Sequence, residues 1–177
     1  MKWTKKKKLI IFLDFFMIFL LSAIDQFTKY LAVLYLKDKP AYPIIEGVFE
    51  LKYLENRGAA FGMLQDQKAF FVLIACVILV AVCYILMKLP KHKKYNLLHS
   101  LLVLIASGAI GNMIDRIRLE YVVDFLYFKL INFPIFNVAD IYVSVSCVAL
   151  VILLLFVYKE EDLDFLNIRQ KKMREIE

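Results

Sequence analysis

A chain of 177 residues has room for one compact domain and little else. Its 62% hydrophobic residues and mean hydropathy of +0.66 exceed what a water-soluble domain can hide, and they exclude an ordinary soluble fold. The formal net charge of +6 reports topology rather than nucleic-acid binding, because the basic residues gather beside the apolar stretches.

Four stretches are long and apolar enough to span about 30 Å of hydrocarbon at ~1.5 Å per residue. The first covers approximately residues 9–36. Lys5–Lys8 ahead of it imitates the n-region of a secretory signal, with Ser22-Ala23 as a tolerable cleavage site. The apolar sequence continues well past that point, so it reads as an uncleaved helix. After it, Pro40 and Pro43 punctuate a turn. Phe49, Leu51 and Tyr53 then alternate with Glu50 and Lys52, the period of a strand, and Glu55 falls near the polar face. The segments 40–56 and 119–130 predict a small sheet resting on the helix ends. Ala59–Lys68 predicts a short interfacial helix between the first of these and the second span, 69–87.

A short connection rich in Lys88, Lys91, Lys93 and Lys94 leads to the third span, 97–117. The apolar extended piece 121–128 (YVVDFLYF) follows, then the fourth span, 138–158, and a mixed-charge tail, 159–177. Basic residues before the first span, between the second and third, and after the fourth make up well over half of the 23 in the chain. That bias places both termini in the cytoplasm and the connections 37–68 and 118–137 outside. The predicted fold is an all-α polytopic bundle of four transmembrane helices with an outer β-cradle, in a single domain 1–177. Cys76, Cys83 and Cys147 all fall inside spans, where they read as small packing residues rather than a disulfide framework.

Ionisable groups inside spans cost a few kcal/mol each and mark where function resides. Asp25 and Lys29, four apart on one helical face, neutralise each other; a structural ion pair and a functional one read equally well. Asp14, near the cytoplasmic end, reads as interfacial. Ser107 and Gly111 form a small-xxx-small pair that admits another helix closely. Asn112, Asp115 and Arg116 fall at i, i+3 and i+4 near the outer end, either an interfacial anchor or one wall of a polar cavity. Asp124 sits among Val122, Val123, Phe125 and Leu126, strange company for a surface aspartate. Asn137 and Asp140 occupy the first turn of the fourth helix, where an N-cap and a dipole-favoured carboxylate also account for them. Together these groups converge on one end of the bundle.

The chain has no His-Glu-x-x-His or Cys/His cluster for zinc and no Gly-x-Ser-x-Gly elbow, and its two histidines, His92 and His99, lie toward the cytoplasmic side. No metal or cofactor is expected. What remains is a carboxylate pair, whose members cannot easily both ionise when close, so that one serves as acid and the other as base. The rival reading is a small ion- or proton-coupled transporter with Asp25, Lys29 and Asp115 as a relay. A non-catalytic assembly subunit would need no aspartate pair.

Five segments in order resemble the lipoprotein signal peptidases, the type II signal peptidases of bacteria. They are Asp25-x-x-Thr28-Lys29, Asn56-x-Gly58-Ala59-Ala60-Phe61, Gly108-x-x-Gly111-Asn112-x-x-Asp115-Arg116, Val122-Val123-Asp124-Phe125 and Phe136-Asn137-Val138-Ala139-Asp140. The resemblance covers roughly residues 9–158; Ser107-Gly108 stands where the family often has two glycines. It implies a membrane aspartyl endopeptidase that cleaves prolipoproteins just before a diacylglyceryl-modified cysteine at the outer face of the cytoplasmic membrane. Asp124 and Asp140 match the catalytic aspartates. Asn56, Gly58, Gly108, Asn112, Asp115, Arg116 and Asn137 match positions around the substrate, and Asp25 with Lys29 the first-helix pair. The resemblance also implies binding of the cyclic peptide globomycin.

Overall fold

The computed structural model describes residues 5–58, 67–90 and 92–166. Among the described residues, four helices are long and apolar enough to cross a membrane. In hydrocarbon each backbone N–H and C=O must be satisfied within its own segment, which makes helix the only local solution for such runs. The helices are α1 (Lys5–Leu36), α2 (Lys68–Lys88), α3 (Asn96–Leu119) and α4 (Val138–Ile152), the last continued by a π-helical turn over Leu153–Val157.

The third helix is the hub. Half of its apolar window is buried inside the protein, against 11% for α2 and α4, and α1, α2 and α4 all pack on it. Its glycines explain the close approach. A Cβ on Gly108 would stand 2.5 Å from the Ala139 carbonyl oxygen and 2.7 Å from Val143 Cγ2, and one on Gly111 would collide with the Asp25 carboxylate. Leu98, Leu101, Leu102 and Ile105 of α3 meet Ile18, Val82, Leu86 and Leu153 in the main core. Cys76 and Cys147, expected to pack, instead face outward from the bundle.

The sheet comprises β1 (Tyr42–Ile45), β2 (Phe49–Asn56) and β3 (Val122–Phe128), antiparallel in that order. Gly47, at φ 72°, supplies the left-handed residue in the turn joining β1 to β2. Ala32 of α1 packs with Val123 and Phe125 beneath the sheet. The alternation in β2 is broken by an irregularity between Leu51 and Leu54, which shifts the facing of the following residues. Glu50, expected on the polar face, is buried and paired with Lys129 at 2.6 Å. The interfacial helix expected over Ala59–Lys68 lies mostly outside the described residues; Lys68 itself opens α2. Of the tail, Glu160–Leu166 forms a 3-10 helix. It is tied back to the α2–α3 connection by a Lys94–Asp162 ion pair and a hydrogen bond from Tyr95 to the Asp162 carbonyl.

Candidate active site

Two elements deliver two carboxylates to one place. Asp124 enters from β3 and is 1% exposed. Across the strand pair, Asn56 of β2 donates to Asp124 Oδ2 at 2.8 Å, and Asn137 donates to Oδ1 at 2.6 Å. Asp140 comes from the first turn of α4. Its Oδ1 accepts the Asn112 amide at 2.8 Å and its Oδ2 the Asn137 backbone N–H at 3.1 Å.

Asn137 is indeed an N-cap: its Oδ1 accepts the Asp140 N–H at 3.0 Å, and with Asp140 it closes a capping box. Its amide nitrogen is left over from capping, and that nitrogen reaches both Asp124 and Asn112 Oδ1. The cap and the carboxylate bridge are therefore one residue. A cavity of about 250 Å³ adjoins them, with Asn56, Asn112, Arg116, Asp124 and Asp140 on its polar side and Phe133–Phe136 on its apolar side.

Beneath this layer lies a buried charge cluster. Lys29 Nζ is 2.9 Å from Asp25 Oδ2, 3.1 Å from Asp115 Oδ2 and 2.8 Å from Asn112 Oδ1. Asp25 Oδ1 accepts the Ala139 N–H of α4, and Asp115 Oδ2 accepts the Val123 N–H of β3. One ammonium thus ties α1 to α3, while the two carboxylates clamp the backbone on either side of the aspartate pair. Thr28, within the same motif, bonds back to its own helix at the Asp25 carbonyl.

Asp115 and Arg116, expected on one face, part company. Successive helical residues point about 100° apart, so Asp115 turns into the cluster while Arg116 faces the cavity. Arg116 stacks on Phe71 at 4.6 Å and donates to the Gly58 carbonyl at 3.4 Å. Gly58 lines the cavity, whereas Gly108 acts through helix packing.

Two residues escaped the sequence reading. Gln26 donates to Asp115 Oδ1 at 2.7 Å and to the Gly111 carbonyl at 3.1 Å. Ser144 lines the cavity one turn from Asp140; its i+4 spacing was the signal that could have found it.

Burial pushes the Asp124 carboxyl up from 3.8 to about 7, and the charge of Asp140 adds to the rise. The amides of Asn56 and Asn137, and Lys29, oppose it. A cavity holding two carboxylates, one of them able to keep a proton at neutral pH, can give and take protons at a single reacting centre.

This is a polytopic membrane protein with a carboxylate pair, Asp124 buried and Asp140 half-buried, under a small sheet. The sequence model of the family described as Signal peptidase (SPase) II matches residues 17–156, and the chain belongs to that family of peptidases. It is 50% identical to a protein of Caldanaerobacter subterraneus subsp. tengcongensis named Lipoprotein signal peptidase, over 75% of this chain and 89% of that one. A Streptococcus pyogenes protein of the same name is 44% identical over 81% and 91%. A solved structure described as "Bacterial membrane enzyme structure by the in meso method at 2.3 A resolution" is similar at a TM-score of 0.73 and 31% identity, covering 85% of this chain and 93% of that one.

Proposed function

We propose that the chain is an aspartic endopeptidase that removes signal peptides from prolipoproteins immediately before the diacylglyceryl-modified cysteine, with Asp124 and Asp140 as its catalytic pair. The observation that carries this reading is the convergence of both carboxylates on one cavity through Asn137. One carboxyl, protonated, hydrogen-bonds the scissile carbonyl; the other, ionised, takes a proton from the attacking water. No covalent intermediate forms. The raised Asp124 supports assigning it the shared proton at neutral pH. Asn56, Gly58, Asn112, Arg116 and Asn137 hold the substrate strand. Asp25, Lys29 and Asp115 support the site from beneath, with Gly108 allowing α4 its close approach.

The basic residues favour both termini in the cytoplasm and the sheet at the outer face of the cytoplasmic membrane. The lipid is required, because burial of acyl chains confines the substrate at the bilayer and raises its local concentration. Globomycin would occupy the same cavity. Incubating purified protein with a diacylglyceryl prolipoprotein and locating the cut by mass spectrometry tests the whole reading. A single cut before the modified cysteine is expected. A folded, substrate-binding preparation that leaves the chain intact, or that cuts the unlipidated precursor equally fast, would refute it.

A further inference from the structure

At the end of the bundle nearest the sheet, the start of α2 meets the end of α3 in two adjacent contacts. Lys68, on the first turn of α2, pairs with Glu120, the C-cap of α3, at 3.1 Å. One turn further in, the Arg116 guanidinium lies over the Phe71 ring, 4.6 Å from its centroid. Lys68 and Phe71 fall at i and i+3, Arg116 and Glu120 at i and i+4, so both contacts lie on one seam between the helices. Phe70 packs edge-on against the Phe71 ring, with centroids 5.7 Å apart.

What this seam restrains is a charge. Arg116 lies on the wall of the cavity that holds Asp124 and Asp140, and the charges acting on it are those two and Asp115. Among the described residues, none of the three carboxylates is within ion-pair distance of Arg116. Asp115 takes Lys29 instead, and Arg116 donates to the Gly58 carbonyl at 3.4 Å. The side chain is long enough to do otherwise. Asn112, one turn earlier on α3, reaches Asp140 at 2.8 Å with a much shorter one. A guanidinium matches a carboxylate with two parallel N–H bonds, so an unrestrained Arg116 has a strong alternative to its present place. The ring face opposes that alternative: stacking fixes the guanidinium plane and leaves its in-plane donors unspent.

On the reading of Asp124 and Asp140 as the catalytic pair, we propose that Phe71 is a positioning residue for the peptidase reaction. Its ring face holds the Arg116 guanidinium on the cavity wall and off the aspartate pair, leaving N–H donors for a substrate carbonyl. Released from the ring, Arg116 swings onto a carboxylate, and a cation at that distance favours the ionised form. Asp124 then gives up at neutral pH the proton that acid catalysis needs. The place of the substrate carbonyl is taken by an internal salt bridge.

The Asp124 carboxyl is titrated by carbon-13 NMR in full-length protein in detergent, its signal assigned by its loss in Asp124→Asn. Besides Arg116, the charges it faces are Asp140 of α4 and Lys29 of α1, and they are the same in every variant compared. Phe71→Leu keeps apolar bulk and removes the ring face. Its Asp124 midpoint should fall by about one pH unit or more, and the upper limb of the cleavage profile with it. Phe71→Tyr, which keeps the ring, should leave both in place. In an Arg116→Gln background, Phe71→Leu should shift nothing, because the charge that moves has gone. An unmoved Asp124 midpoint in folded Phe71→Leu would overturn the proposal, however far activity or melting temperature falls. An equal shift in the Arg116→Gln background would overturn it too. A midpoint that moves as expected, in a protein that cuts no lipidated precursor, would uphold the restraint on Arg116 and refute only the peptidase reading.

Discussion

Asp124 and Asp140 are joined through a single residue: Asn137 gives its side-chain amide to Asp124 at 2.6 Å and its backbone N–H to Asp140 at 3.1 Å. The spacing of the two carboxyls is thereby fixed by the start of α4 rather than by the mobility of a side chain. If they act as a unit, Asp124→Asn and Asp140→Asn should each lower turnover by roughly 10²- to 10⁴-fold while substrate binding persists. The double variant should be hardly worse than either single one. Turnover and affinity measured on purified protein decide this; near-normal activity in either variant would mean that the catalytic groups lie elsewhere.

The two duties of Asn137 are separable. Serine can still accept the Asp140 N–H as an N-cap but has no amide to offer Asp124. Asn137→Ser is expected to keep thermal stability close to wild type and lose at least about tenfold in activity. Asn137→Ala should lose the activity and, in addition, about 1 kcal/mol of stability. Matched melting and cleavage assays separate the effects, and a Ser variant with full activity would show the bridge to be dispensable.

Acidity gives a further test. Asp124 is raised from 3.8 to about 7, so between those values the folded protein holds a proton that the unfolded chain has released. Its contribution to stability is complete below the lower value and is lost as pH rises through the upper one. Asp124→Asn removes this dependence, so the melting temperature of the variant should gain on wild type as pH increases from about 4 to about 8. Cleavage by the wild type should decline above about pH 7 as the proton leaves. A wild-type profile flat to pH 9 would contradict the assignment of the proton to Asp124.

Lys29 neutralises two buried carboxylates at once. Replacing it with methionine keeps the bulk and strands both charges, at a cost of about 3–5 kcal/mol. Lower folded yield and a lower melting temperature in detergent are the expected readouts. Unchanged stability would mean that the cluster is already neutral without its ammonium.

The spans were legible because each is a long apolar run, and the gathering of Asn112, Asp124, Asn137 and Asp140 was legible from their places at span ends. Other features were not. Asp115 and Arg116 shared a helical face on spacing alone, yet the angle between neighbours sends one to Lys29 and the other to the cavity. Gln26 stood outside the i+3 and i+4 pattern of Asp25, and the approach of α3 gives it its shorter hydrogen bonds, to Asp115 and the Gly111 carbonyl. Glu50 obeys the alternation of β2, yet it is buried where Lys129, from the turn after β3, supplies its counter-charge. The first of these is the helical angle itself; the other two are tertiary contacts that a local period does not contain.

The i,i+4 link between Asp25 and Lys29 also bears on the order of assembly. As the chain is made, α1 enters the bilayer before Asp115, Asn112 or the Ala139 N–H has been synthesised, so none of their later partners exists. A lone aspartate or lysine at that depth would resist insertion, whereas an adjacent pair carries its own counter-charge across the boundary. Helix α1 is thus insertable by itself and waits, half-satisfied, for α3 and α4 to arrive. The ion pair that holds the finished bundle together is the same one that lets its first helix go in alone.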